Sequence, residues 1–155
     1  MSFMNSINIV GSGLTAQQLR LDIVAENVTN SQTTRVENGE GAYRRKMVVF
    51  EAVSGRDSFR AALARAANGL IPNTGASPTA GGVRVTQIVE DESPMKMVYD
   101  PTHPDADEDG YLELPNVDMV KEMADAMAAT RAYSSNVTAF NTLKAVIASG
   151  LEIGR

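Results

Sequence analysis

The sequence predicts an α+β fold: two long terminal α-helices forming an antiparallel coiled-coil-like pair, with a small mainly β central region and a flexible Gly/Pro-rich segment between them. Three observations predict it. Apolar residues recur on a heptad over Ser6–Asn30 and again over Asn116–Leu151. Short β-branched and aromatic runs bounded by turn residues lie between. Residues 69–82 are rich in Gly, Pro, Ser and Thr and show no apolar periodicity.

On the first helix Ile7, Leu14, Leu21 and Val28 stand seven apart, with Val10, Gln17 and Val24 filling the intermediate positions. Gly11 and Gly13 each cost about 1 kcal/mol relative to Ala in a helix interior, so the first turns are expected to order only against a partner. A polar cluster from Asn27 to Thr34 ends the helix, because Asn and Thr side chains compete for backbone hydrogen bonds.

Val36–Ala42 reads as a loop and Tyr43–Val53 as a strand whose basic start suits an exposed edge. Ser58–Asn68 has helical composition and a left-handed stop at Asn68-Gly69. Val83–Glu90 alternates as a half-buried strand, and Asp91–Pro94 is expected to turn it back into Met95–Tyr99 as a hairpin. Asp100–Gly110 is an acidic, proline-bearing loop, followed by a short strand over Tyr111–Leu114. Asn116 is expected to cap the last helix, with Asp118 and Glu122 near its positive end and Gly150 and Gly154 stopping it. Met119, Ala126, Tyr133, Phe140 and Ile147 form one row on that helix, and Met123, Thr130, Val137, Lys144 and Leu151 the row beside it. The expected divisions are 1–35, an N-terminal helix; 36–115, a small β-rich body with a mobile stretch at 69–82; and 116–155, a C-terminal helix.

Composition narrows the function. With 5% aromatic residues and no Trp in 155 residues, the core is expected to be thin. A net charge of -5 and no clustered Lys/Arg surface argue against nucleic acid as a partner. Eight acids face one Lys from Glu90 to Asp109, whereas six Arg/Lys face four acids from Val36 to Leu70; such unevenness can steer subunits head to tail. Absence of Cys excludes disulfides and thiol catalysis. The N-terminus lacks the basic and apolar regions of a cleaved secretory signal, and no apolar run reaches a membrane span.

Local motifs carry little chemistry. Asp105, Asp107, Asp109 and Gly110 match the start of an EF-hand calcium loop, but the twelfth position is Asn116 rather than Glu, and Pro101 and Pro104 stand where an entering helix belongs. His103, the single histidine, has no companion ligand or nucleophile at suitable spacing. Gly11-Ser12-Gly13 lacks the preceding strand of a dinucleotide fingerprint.

Several stretches together resemble a known family, the rod and hook axial proteins of the bacterial flagellum. Ser12–Thr34, with Ala25, Asn27 and Asn30 on an A-x-N-x-x-N core, looks like the N-terminal rod motif, and Tyr43-Arg44-Arg45-Lys46 and Val49-Phe50 follow in place. Gly82–Asp107, Gly110-Tyr111 and Pro115–Asp118 are similar to proximal-rod members rather than to hook or distal-rod ones. Met123–Phe140, with Arg131, Ala132, Tyr133 and Asn136, resembles the C-terminal axial helix. The likeness thins across Ser54–Gly81.

The resemblance implies a structural subunit of the proximal rod, not an enzyme, with no cofactor and no metal. It implies export by the flagellar type III apparatus without a cleaved signal peptide, a periplasmic place in the basal body, and terminal helices packing coaxially against copies of the chain and other proximal-rod proteins. No nucleic-acid partner or membrane insertion is expected. Ile7, Leu14, Leu21, Val24, Asn27, Val28 and Asn30 on the first helix and Met123, Tyr133, Val137, Phe140 and Ile147 on the second are the expected assembly interface. Another axial rod or hook subunit, a calcium-responsive coiled-coil binding module, and more remotely a hydrolase using His103 are the alternatives.

Overall fold

The computed structural model describes residues 3–36, 41–53 and 81–153. Its elements run α1 (Phe3–Thr29), β1 (Lys46–Ala52), β2 (Val83–Glu90), β3 (Lys96–Tyr99), β4 (Tyr111–Leu114) and α2 (Met119–Ile153), which is the expected α+β order of helices at the termini and short strands between. The helix expected over Ser58–Asn68 and nearly all of the Gly/Pro-rich stretch lie outside the described residues.

α1 passes through both glycines without a break and is helical from Phe3. The polar cluster ends it as anticipated. Asn30 donates both its backbone N–H and its side-chain Nδ2 to the Glu26 carbonyl, each at 3.0 Å, while Thr29 Oγ1 donates to the Ala25 carbonyl at 2.8 Å. The last carbonyls of the helix thereby gain the partners that a helix end lacks.

The strands pair differently from the expected hairpin. β2 lies beside β1, and β3 pairs antiparallel with β4, from Lys96 opposite Leu114 to Tyr99 opposite Tyr111. The Asp91–Pro94 connection is held from outside: Asn116 Nδ2 donates to the carbonyls of Asp91 and Ser93, and Asp91 Oδ1 accepts from Ser93 N–H and Oγ. These bonds carry the chain from one two-stranded sheet to the next instead of folding it back. Asn116, expected as a helix cap, is spent on this crossover. The cap is Asp118, whose Oδ1 accepts from Val120 N–H at 3.0 Å and whose carbonyl accepts from Glu122 N–H at 2.9 Å.

α2 has 35 residues, which makes it about 52 Å long. It runs through Gly150 rather than stopping there. Thr130, Thr138 and Thr142 turn their hydroxyls back to the carbonyls four residues earlier, so these polar interruptions are satisfied within the helix.

The chain forms two compact units. One consists of Met1–Ala16, Phe50–Thr86 and Tyr133–Arg155, the other of Gln17–Val49 and Gln87–Ala132. In the first, Ser12 Oγ donates to the Ile9 carbonyl at 2.7 Å and accepts from Val83 N–H at 3.1 Å, tying α1 to the start of β2. Gly82, at φ +107°, makes this approach: a Cβ there would stand 2.2 Å from Ser12 Oγ. A Cβ on Gly13 would lie 2.9 Å from Asn136 Nδ2, so this glycine marks close contact with α2. In the second unit the core is thin, as composition suggested. Among its described residues Ile23, Val24, Ala42, Tyr43, Leu112, Val117 and Ala129 are buried apolar side chains, while the largest fully enclosed ones are Glu122, Asn27 and Pro115.

Candidate functional site

The centre of the second unit is polar. Asn27, 1% exposed on the last turns of α1, uses all of its hydrogen-bonding capacity. Its Nδ2 donates to the Lys46 carbonyl at 2.9 Å and to Glu122 Oε2 at 3.0 Å, and its Oδ1 accepts from Tyr43 Oη and Lys46 N–H, both at 2.9 Å. The amide thus reads the entry to β1 as a strand would and reaches α2 with the same group.

Glu122 is fully buried and takes its second partner from Arg45, whose Nε donates to Oε1 at 2.6 Å. Arg45 also reaches Asp125 at 3.3 Å and Asp91 at 3.6 Å, and Asp125 in turn holds Arg20 of α1 at 2.8 Å. Burial works against the Arg45 charge, yet the hydrogen bond and charge of Glu122, with Asp125 and Asp91, outweigh it and raise the guanidinium pKa. Burial first, then the carboxylates of Glu26, Glu122 and Glu90, push the Tyr43 phenol up to about 12. Hydrogen bonds from Ser93 hold Asp91 below the usual carboxylate range, with Arg45 helping.

Desolvating a charge pair costs several kcal/mol, and its mutual attraction with good hydrogen bonds roughly offsets that cost. The network therefore adds little net stability over an apolar filling. What it fixes is register: Arg20 meets Asp125 and Asn27 meets Glu122, an antiparallel match that a helical slide of one residue would break.

Of the residues expected at an assembly interface, Val24 and Asn27 are enclosed within their own unit. Ile7, Leu14, Leu21, Val28, Asn30, Tyr133, Val137 and Ile147 are half-buried. Met123 and Phe140 stand out at 56% and 37% exposure, and beyond them Val146 and Leu151 are 57% and 72% exposed. Asn30 closes α1 and accepts from Thr33 Oγ1.

Heptad reasoning over apolar residues passed over Glu122 and Ala129, both wholly buried and seven apart on α2. Ala129 carried no signal in the sequence, and Glu122 was placed there only as an acid near the positive end of the last helix. Gln17 keeps a buried Oε1 with no hydrogen-bond partner among the described residues.

The acidic loop is committed to the fold. Asp105 accepts from Thr34 Oγ1 at 2.9 Å and pairs with Arg35 at 3.1 Å, and its N–H donates to His103 Nδ1. Asp107 Oδ1 takes the N–H groups of Asp109 and Tyr111. Among the described residues no three His, Asp or Glu side chains converge to hold a metal ion, and no helix is long and apolar enough to cross a membrane.

Two family models match: flagella basal body rod protein over residues 7–35, and flagellar basal body rod FlgEFG protein C-terminal over residues 108–153. The flagellar basal-body rod protein FlgC of Bacillus subtilis (strain 168) is 45% identical over 159 residues, with 100% of both chains covered. That of Borreliella burgdorferi is 40% identical, covering 99% of this chain and 98% of its own, and that of Salmonella typhimurium is 34% identical over 100% of both.

Proposed function

The chain belongs to the flagellar basal-body rod protein family, and from that premise we propose that it builds the proximal rod by packing its two terminal helices against neighbouring subunits. It is a structural rod subunit. The observation that supports helix-mediated assembly is the outward apolar row at the start of α2, where Val120, Met123 and Met127, at i, i+3 and i+7, are each more than half exposed. A solvated helix surface gains nothing from such residues, whereas a helix-packed tube buries them.

In this reading copies of the chain and other proximal-rod proteins are the partners, and the flagellar type III apparatus delivers the chain to the periplasm without a cleaved signal. No catalytic role is assigned to any residue. The node around Asn27 and Glu122 serves assembly indirectly, by presenting the two helices in one register.

The test replaces exposed rather than buried positions, since a charge at Val24 would damage the fold itself. Met123→Asp with Phe140→Asp should leave the circular dichroism of the purified chain unchanged and abolish swimming and rod formation. A fully motile strain carrying this variant would overturn helix-mediated assembly.

A further inference from the structure

The β3–β4 hairpin carries a second outward surface. Cross-strand pairing sets Met97 opposite Glu113 and Tyr99 opposite Tyr111, and strand alternation puts these four on one face. Met97, Tyr99 and Tyr111 are 55%, 65% and 46% exposed, while Leu112 on the opposite face is buried. The two tyrosine rings meet edge to face with centroids 5.3 Å apart. The turn is shaped around them: Gly110, at φ +80°, leaves room that a Cβ would fill, 3.0 Å from Tyr99 Cε2 and 3.2 Å from Pro101 Cβ. Bonds from Asp100 N–H to the Gly110 carbonyl and from Asp107 N–H to the Tyr111 carbonyl hold that shape.

A lone two-stranded hairpin is marginal in water, and a fixed exposed aromatic pair is the kind of anchor that loses little rotamer freedom on binding. The surroundings select the partner's charge. Asp100–Leu114 contains Asp100, Asp105, Asp107, Glu108, Asp109 and Glu113 and no Lys or Arg. Asp105 is engaged by Thr34 and Arg35 and Asp107 by the N–H groups of Asp109 and Tyr111, whereas Glu108, Asp109 and Glu113 are exposed beside the tyrosines.

We propose that this face docks a neighbouring rod subunit of a different kind, through a patch in which Arg or Lys flanks an apolar centre. Guanidinium groups suit both features, since they pair with carboxylates and stack on tyrosine rings. A second copy of this chain is the poorer fit: it carries a net charge of -5 like the face it would meet, and five of its cations, Arg20, Arg35, Arg45, Lys46 and Arg84, already hold carboxylates of their own molecule. The proposal rests on the rod-subunit reading and adds a contact outside the terminal helices.

The experiment replaces the chromosomal copy with full-length Asp109→Lys/Glu113→Lys, and separately with Tyr99→Ser. All three positions face outward, so the urea midpoint of the purified charge variant should match the parent. Swimming should be lost and assembled rods should fall roughly tenfold or more. Motile revertants of the charge variant should carry a Lys or Arg changed to Asp or Glu in another rod subunit. Reversion at a cation of this same chain would assign the face to a second copy and overturn the proposed occupant, and normal swimming of both variants would overturn the surface. A strain deleted for the gene separates the two levels: if it swims, the rod reading falls; if it does not swim while the hairpin variants do, only this contact falls.

Discussion

Asn27→Ala tests whether a polar node holds the second unit together. Truncation removes four hydrogen bonds, leaving Glu122 Oε2 and the Tyr43 hydroxyl, both in buried residues, and the Lys46 peptide without their partners. Neutral bonds contribute about 1 kcal/mol each and those to a charged group about 1.5–3, with an additional cost when the survivor stays buried. Three neutral bonds and one to a carboxylate sum to about 5 kcal/mol. Because a water fills part of the gap and the terms are not additive, a loss of about 3–4 kcal/mol is expected, or a fall in Tm of roughly 10 °C for a chain of this size. Asn27→Asp sharpens the test. It keeps shape and acceptor but sets a second carboxylate where Nδ2 now lies 3.0 Å from Glu122 Oε2, so it should cost at least as much at pH 7 and partly recover as acid protonates one of the pair. Urea denaturation followed by far-UV circular dichroism and by tyrosine fluorescence gives the measurement, since the chain has no Trp. A loss below about 1 kcal/mol for the Ala variant, or a well-tolerated Asp, would refute the reasoning.

Two further outcomes follow from the geometry. Gly11→Ala meets nothing within 4 Å and should stabilise the isolated chain by up to about 1 kcal/mol in urea, whereas Gly13→Ala must displace the Asn136 amide and should gain clearly less; equal gains would mean that Gly13 does not mark close packing. The Tyr43 phenol is held at about 12 against 10.0 for a free tyrosine, so the folded state keeps its proton where the unfolded chain gives it up. Its contribution is complete below pH 10 and is lost as pH rises from 10 to 12, of order 2 kcal/mol, and Tyr43→Phe should remove that part of the alkaline slope in urea midpoints.

Both terminal helices, the polar end of α1 and the strands Val83–Glu90 and Tyr111–Leu114 were legible because each rests on local periodicity or local turn chemistry. Strand partners were not. The choice between a β2–β3 hairpin and the observed β3–β4 pair is made by the Asn116 amide, twenty-five residues from Asp91 in the chain, and no local pattern announces that reach. The interior of the second unit was hidden for a different reason. A heptad search rewards apolar residues, while Asn27 and Glu122 are enclosed because they bond each other, with the half-buried Arg45 on the second oxygen of Glu122. Arg45 was read as part of an exposed strand start, and only the fold shows that one of three consecutive cations turns inward.

The same node has a temporal consequence. Asn27 and Glu122 are 95 residues apart and Arg20 and Asp125 are 105 apart, so their closure draws together nearly two-thirds of the chain. Closing a loop of that length outright costs about 4 kcal/mol, and the shorter closures of the node, Asn27 on Lys46 and Arg45 on Asp91, share that cost. A polypeptide that appears N-terminus first therefore holds α1 without its polar counterpart until the start of α2 has also appeared. Until then Asn27 has only Tyr43 and Lys46 to bond, and its bond to Glu122 forms when nearly everything between the two ends is already present.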